Sequence, residues 1–150
     1  MKALCQLERY CLTKLSVEAN DKFVLQEMPE TQEVELRFNL GLGENKDDPT
    51  KFQIVVGIDD LKAKKGELPY RIALEVVGQF LVDKDYKPEY KPADIRKIVQ
   101  INGGSMLYSA ARELVLTITG RGPWPALQLP TINLNRTVKK TMSEVEKNKS

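Results

Sequence analysis

Alternation of apolar and polar residues predicts three regular strands. It runs without a break from Val34 to Leu42 and recurs from Phe52 to Ile58 and from Tyr70 to Val82. A period of two residues is typical of a strand that buries one face and exposes the other. Gly78 interrupts the apolar face of the third stretch, which indicates a bulge or a close contact with another element.

A fourth strand is predicted near the beginning of the chain, from about Leu4 to Ala19. Its pattern is less regular, because the phase slips around Glu8, Arg9 and Tyr10, which indicates a kink or a bulge. Short polar links join the later strands, whereas parallel strands would need long crossovers between them. The strands therefore favour a single antiparallel sheet.

The spacing of the apolar residues becomes helical in the second half of the chain. Apolar residues between Ile95 and Val99 lie on one face of a helix, and the pair Gly103 and Gly104 predicts its end. Apolar residues from Met106 to Ile118 predict a second, longer amphipathic helix. Strands followed by helices define an α+β fold, which we expect to be a four-stranded antiparallel sheet with two to three helices packed on one face.

The length of 150 residues is typical of one domain. We expect this domain to span residues 1–134. Residues 135–150 carry five Lys or Arg and two Glu, which predicts a basic C-terminal helix or tail.

The chemistry available to the chain is narrow, because it contains no histidine. The commonest general base and every histidine-containing metal site are therefore excluded. The two cysteines, Cys5 and Cys11, are too few for a structural zinc site, and on one strand they lie roughly 20 Å apart, too far to pair. The sequence also lacks the glycine-rich motifs that bind nucleotides. We expect no enzymatic activity, no cofactor and no metal.

Charge and hydrophobicity indicate a cytoplasmic protein. The formal net charge is only +2, and the basic tail has no interleaved aromatic residues, so we expect no nucleic-acid partner. No segment resembles a signal peptide or approaches the ~20 apolar residues of a membrane span, so we expect no membrane insertion. Free thiols fit a reducing cytoplasm. The apolar residues in 23–28 and 124–134 either close the core or form a surface for oligomerisation or binding.

Three motifs resemble those of the SecB family of export chaperones. They are Ala111-Arg112-Glu113, Arg121-Gly122-Pro123-Trp124-Pro125-Ala126-Leu127-Gln128-Leu129 and Ile132-Asn133-Leu134. The family pattern is A-R-E, then R-G-x-[FW]-P-x-L-x-L, then a proline and [VI]-N-[FL], and the spacing fits without gaps. The upstream stretch 16–19 resembles the end of the family's first strand. The resemblance therefore spans most of the chain and is specific over residues 105–134.

The resemblance implies an ATP-independent chaperone that holds unfolded or pre-secretory polypeptides in hydrophobic grooves. It also implies a homotetramer built as a dimer of dimers, and delivery of clients to the SecA motor in protein export. Two alternatives stay open. One is a SecB-like chaperone dedicated to a single partner, such as an antitoxin, and the other is an interaction module without chaperone activity.

The resemblance also assigns residues to roles. The implied client groove contains Phe23, Leu25, Met28, Trp124, Leu127 and Leu129. The implied oligomer interface contains Leu107, Ala111, Leu114 and Ile118. Glu18 is the implied contact for SecA, although Lys14 stands where an acidic neighbour is expected. The C-terminal tail has neither Cys nor His, so it lacks the ligands for the zinc that SecA-binding family members carry there.

Overall fold

Four strands and one long helix form the fold, seen in a computed structural model that describes residues 3–23, 36–59, 68–83, 85 and 90–138. The elements are β1 (Cys5–Ala19), β2 (Arg37–Glu44), β3 (Lys51–Asp59), β4 (Tyr70–Val82) and α1 (Pro92–Thr119). Residues 134–138 add a short helical segment. The predicted order of strands followed by helix is confirmed.

The strands form one antiparallel sheet in the order β1-β4-β3-β2. The apolar positions of β3 and β4 are buried beneath α1, which packs across all four strands. The buried side chains are Phe52, Ile54, Val56, Ile58, Tyr70, Ile72, Leu74, Val76, Phe80 and Val82. The alternation of these two strands therefore predicted the core correctly, and the predicted four-stranded sheet with helices on one face is confirmed.

The irregular first strand contains two bulges. The pairing of β1 with β4 shifts register between Leu7 and Arg9 and again between Leu12 and Lys14, so the predicted irregularity is confirmed at the first position. Each bulge inserts one extra residue into β1, so the positions that face the buried side move by one residue after it. As a result, seven apolar residues lie opposite the buried side of β4: Cys5, Leu7, Tyr10, Leu12, Leu15, Val17 and Ala19.

The prediction of two helices separated by glycines is wrong, because Gly103 and Gly104 lie inside the continuous helix α1. Both are buried, and they are needed for close approach rather than for a helix end. A Cβ at Gly103 would lie 3.0 Å from Phe80 Cζ, and one at Gly104 would lie 3.1 Å from Leu40 Cδ1. The small residues therefore let the helix backbone rest directly on the sheet.

Gly78 is also a point of close approach rather than a bulge. Its register with β1 and β3 is continuous, and a Cβ there would lie 2.9 Å from Leu107 Cδ2 of α1. Beyond the helix, Leu134 and Val138 are buried. Packed residues thus occur on both sides of position 134, and the division into a domain of residues 1–134 and a basic helix or tail of residues 135–150 stays a prediction.

Candidate functional site

The chain that follows α1 has no regular secondary structure from residue 125 to 133. We call residues 120–134 the post-helix segment. Prolines 123, 125 and 130 exclude a helix and remove backbone donors. Leu127 and Leu129 are buried while the residues on either side of each are exposed. The segment is therefore extended on the helix-covered side of the sheet, and alternate side chains point into the core.

Side chains of α1, rather than a strand ladder, hold the later part of this segment. Arg112 Nε donates a hydrogen bond to Leu129 O at 3.1 Å, and the Tyr108 hydroxyl donates to Pro130 O. The Leu127 N–H donates to Thr119 Oγ1 at 2.9 Å. Burial raises the pKa of Tyr108, so its hydroxyl stays protonated as the donor that this contact requires. The motif arginine thus has a structural role inside the protomer.

A second set of bonds holds the beginning of the post-helix segment. The buried Tyr70 hydroxyl accepts the Trp124 backbone N–H at 2.9 Å and lies 3.0 Å from Trp124 O and 3.1 Å from Thr119 O. The Trp124 indole N–H donates to Asn20 O at 3.0 Å. Its ring meets Phe23 edge to face, with 5.3 Å between centroids. We call this cluster the tyrosine joint.

The β2 strand forms an open edge beside this region. Asn45 N–H donates to Lys51 O, and hydrogen-bonded pairs alternate along an antiparallel ladder. Gly43, Gly41 and Asn39 therefore bond to β3. The intervening residues, Phe38, Leu40 and Leu42, point their N–H and C=O groups away from the sheet.

The same three residues turn their side chains toward the helix-covered side. They lie opposite Ile58, Val56 and Ile54 and are only half-buried. Phe38 meets Tyr108 edge to face with 5.7 Å between ring centroids. Within the described residues, the edge therefore combines backbone groups that have no strand partner with partly accessible apolar side chains, which suits an added extended peptide.

A groove of ≈ 410 Å³ opens where α1 and the end of the post-helix segment meet. Ile101 and Ser105 form its helix side, and Ile132 and Leu134 lie in its other wall. Leu134 also approaches Gly104 of α1, which in turn contacts Leu40 of β2. Packed apolar residues thus connect the wall of the groove to β2.

The residues predicted to line the groove lie mostly inside the protomer. Phe23, Leu127 and Leu129 are buried, whereas Trp124 is half-buried. Leu25 and Met28 lie outside the described residues. The first three therefore support the shape of this region from within, and a direct contact with a client stays a prediction for the accessible part of Trp124.

The residues predicted for the oligomer interface divide into two pairs. Leu107 and Ala111 are fully buried against the sheet of their own protomer, so their side chains are not available to a second copy. Leu114 and Ile118 are half-buried and retain accessible surface. Residues that face solvent on the same side of the molecule include Met106 on α1 and a strip on β1 made of Tyr10, Leu12 and Leu15.

Glu18 lies at the exposed end of β1, opposite Arg71 of β4. Two rows further in on the same face, Lys14 lies opposite Glu75, whose carboxylate accepts a hydrogen bond from Thr13. Acidic and basic residues therefore alternate across these two strands. A contact between Glu18 and SecA stays a prediction.

Cys5 and Cys11 are both free thiols in different surroundings. Burial raises the pKa of the Cys5 thiol to about 11, whereas Cys11 is exposed on the opposite face of β1. Within the described ranges, no three Cys, Asp or Glu side chains group as metal ligands would. The part of the chain that the structure describes contains no helix both long and apolar enough to span a membrane.

Comparison with known proteins identifies the fold. No protein-family model matches the chain. In sequence it is 29% identical over 131 residues to an uncharacterized protein of Methanocaldococcus jannaschii, covering 83% of this chain and 81% of that protein. In structure it is similar to Rv1957 of Mycobacterium tuberculosis, a SecB-like chaperone in complex with a ChAD peptide from the HigA1 antitoxin.

The similarity to that chaperone has a TM-score of 0.59 at 16% identity and covers 86% of this chain and 90% of the other. A protein of unknown function from Streptococcus agalactiae has a TM-score of 0.45 at 11% identity, covering 85% of this chain and 97% of the other. The chain has a SecB-like fold, with the four-stranded antiparallel sheet and the helices on one side.

Sequence reasoning missed three parts of this site. The tyrosine joint joins residues far apart in the chain, and the only available signal was that a buried tyrosine needs a partner for its hydroxyl. The open edge of β2 follows from strand order, which the alternation does not contain. The sequence did contain a signal for the exposed strip on β1, because the apolar residues of β1 recur in pairs that begin every five residues.

Proposed function

We propose that this protein is a SecB-like chaperone that holds unfolded polypeptides without ATP. The observation that carries the proposal is the combination of a SecB-like fold with an open β2 edge above half-buried apolar side chains. A holdase needs a surface that binds extended chains of many sequences. Backbone groups and apolar contacts supply such a surface, because neither depends on a particular client side chain.

The proposed mechanism places an extended client segment alongside β2. Its backbone pairs with the outward N–H and C=O groups of Phe38, Leu40 and Leu42. Alternate client side chains then point toward the helix-covered side and bury apolar surface there, at roughly 25 cal/mol per Å². No covalent step or nucleotide is needed, so release depends on the client folding or on transfer to another protein.

The proposal includes an oligomer, which we expect to be a homotetramer arranged as a dimer of dimers. Tyr10, Leu12 and Leu15 are 53%, 41% and 45% exposed on the side of β1 that faces α1, and Met106 of the helix is 41% exposed. Exposed apolar clusters of this kind are typical of subunit contacts. Leu114 and Ile118 are the members of the predicted interface that retain accessible surface for it.

Two classes of client fit this proposal. The first is the unfolded or pre-secretory chain of an export chaperone in the cytoplasm, with SecA as the receiving partner. The second is one dedicated partner such as an antitoxin. The second class is favoured by the structural neighbour, since that chaperone is in complex with a peptide from an antitoxin. Acidic and basic residues alternate around Glu18, so this surface attracts a cationic partner more weakly than an acidic patch would.

Light scattering during refolding tests the general holdase. Chemically denatured citrate synthase is diluted into buffer without ATP, with increasing amounts of the protein. We expect suppression of aggregation near one tetramer per client chain. Absence of suppression by the wild-type protein would refute the general holdase and favour the dedicated partner.

A matched pair of variants tests the role of the β2 edge. Leu42→Ala removes a side chain and keeps the outward N–H, whereas Leu42→Pro removes the side chain and this N–H together. Proline is tolerated on edge strands at such positions. Because one hydrogen bond contributes about 1 kcal/mol, we expect Leu42→Pro to bind client about fivefold more weakly than Leu42→Ala. Equal affinities would refute edge pairing.

A further inference from the structure

The tyrosine joint connects three places that are distant in sequence. Tyr70 is the first residue of β4, Thr119 is the last residue of α1, and Trp124 begins the extended part of the post-helix segment. One hydroxyl bonds to the backbone at both Thr119 and Trp124, using its hydrogen toward the carbonyls and a lone pair toward the Trp124 N–H. The joint therefore closes the turn between the helix and the segment.

Trp124 extends the joint to the end of β1. Its indole N–H reaches Asn20 O, and Asn20 is itself tied to the start of β4 by its backbone N–H on Pro69 O and its side-chain amide on Leu68 O. Phe23, the last described residue of this stretch, packs on the tryptophan ring. The position of Trp124 thus fixes both the β1 exit and the post-helix segment.

The packing around Tyr70 shows that its position is tightly determined. Its side chain is only 2% exposed, and a Cβ at Gly122 would lie 2.2 Å from its hydroxyl oxygen. The backbone of the turn therefore rests directly on the tyrosine. Trp124, in contrast, is half-buried and retains surface that a ligand can reach.

From these contacts we infer that Tyr70 is a positioning residue for client binding, an inference that rests on the proposed function. Tyr70 does not touch the client. It holds Trp124 in the orientation that keeps the β1 exit and the post-helix segment at a fixed separation. Loss of its hydroxyl would free both segments together, and the predicted client groove, to which Phe23 and Trp124 belong, would lose its shape.

The variant Tyr70→Phe tests this inference, with Thr50→Val as its control. Each removes one buried hydroxyl that donates a hydrogen bond, so each loses one side-chain bond, but Thr50 bonds to Asp48 in the turn before β3, away from the joint. Only Tyr70→Phe releases Trp124. Trp124 is the single tryptophan of the chain, so its fluorescence reports on the joint directly.

Two measurements are made on each full-length protein, well below its unfolding temperature. Acrylamide quenching of Trp124 measures the integrity of the joint, and anisotropy of fluorescein-labelled, reduced and carboxymethylated α-lactalbumin measures binding to a permanently unfolded chain. For Tyr70→Phe we expect stronger quenching and about tenfold weaker binding. For Thr50→Val we expect wild-type quenching and binding within about twofold of wild type.

The outcomes separate the two levels of the proposal. If the wild-type protein does not bind the labelled probe, the proposed function fails and the positioning role fails with it. If the wild type binds and both variants lose affinity equally, general destabilisation explains the effect and the positioning role is overturned. Wild-type quenching and binding in Tyr70→Phe would overturn it as well.

Discussion

Replacement of Gly103 by alanine sets two known effects against each other inside α1. Alanine in a helix interior is favoured over glycine by about 1 kcal/mol. At this position, however, the added methyl group would lie 3.0 Å from Phe80 Cζ and 3.1 Å from Ile54 Cγ1, closer than ordinary van der Waals contact. Phe80 and Ile54 are buried in the main core cluster, where a shift of either side chain displaces its close-packed neighbours.

The cost of overfilling the core should therefore exceed the gain in helix propensity. Overfilling a close-packed core costs about 1–3 kcal/mol, so the helix gain is exceeded and Gly103→Ala should lower the free energy of unfolding by about 1 kcal/mol. Gly104→Ala is the matched control. Its methyl group would meet only the terminal methyls of Leu40, which is half-buried, and of Leu134 near the end of the packed chain. The half-buried Leu40 can give way more easily than Phe80 or Ile54, so Gly104→Ala should lower the free energy of unfolding less than Gly103→Ala does.

Urea unfolding followed by far-ultraviolet circular dichroism measures both variants. All proteins are compared at one concentration, because association adds to the apparent stability of an oligomer. The slopes of the transitions should agree, so the difference appears in the midpoints. A Gly103→Ala protein at least as stable as Gly104→Ala would refute the close contact between helix and sheet.

Three further predictions follow from contacts described above. Gly122→Ala forces a methyl group against the Tyr70 hydroxyl and should cost about 2 kcal/mol of unfolding free energy in the same assay, whereas Gly43→Ala, whose Cβ would make ordinary contacts, should cost less than about 1. Leu12→Asp should weaken the oligomer without unfolding the protomer, seen as a lower molar mass in light scattering after gel filtration, and an unchanged mass would exclude the β1 strip. Thiol labelling should modify Cys11 rapidly and Cys5 slowly at pH 8. Burial raises the Cys5 pKa from 9.0 to about 11 on folding, so the thiol ionises more readily in the unfolded chain. The free energy of unfolding should therefore be highest below pH 9 and decline as the pH rises through 11. A Cys5→Ala protein with the same decline would show that Cys5 is not its cause.

The sheet could be predicted from sequence because alternation reports directly which strand face is buried. β3 and β4 are examples, since the apolar residues that alternate from Phe52 to Ile58 and from Tyr70 to Val82 are buried. The pair Gly103 and Gly104 could not be interpreted in the same way. A glycine pair is equally typical of a helix end and of a close packing contact. The structure resolves the ambiguity, because Phe80 and Ile54 lie directly against Gly103.

The candidate site was less predictable because side chain to backbone bonds hold it. The Tyr70 hydroxyl meets Trp124 across 54 positions of the chain, and no local period records such a contact. Leu127 and Leu129 show why apolar residues in an extended segment are ambiguous. The sequence left open whether these residues close the core or form a binding surface, and their burial shows that they close the core of the protomer.

The strand order β1-β4-β3-β2 also has a consequence for how the chain is made. Strands β2, β3 and β4 pair with their neighbours in sequence, whereas β1 pairs only with β4, Cys5 opposite Val82. During synthesis the first strand leaves the ribosome long before its partner exists. Its apolar pairs stay uncovered for that interval, and the local meander of the other three strands has the lower contact order and the faster expected formation. During its own synthesis, a protein that we propose binds unfolded chains therefore exposes its first strand until β4 has been made.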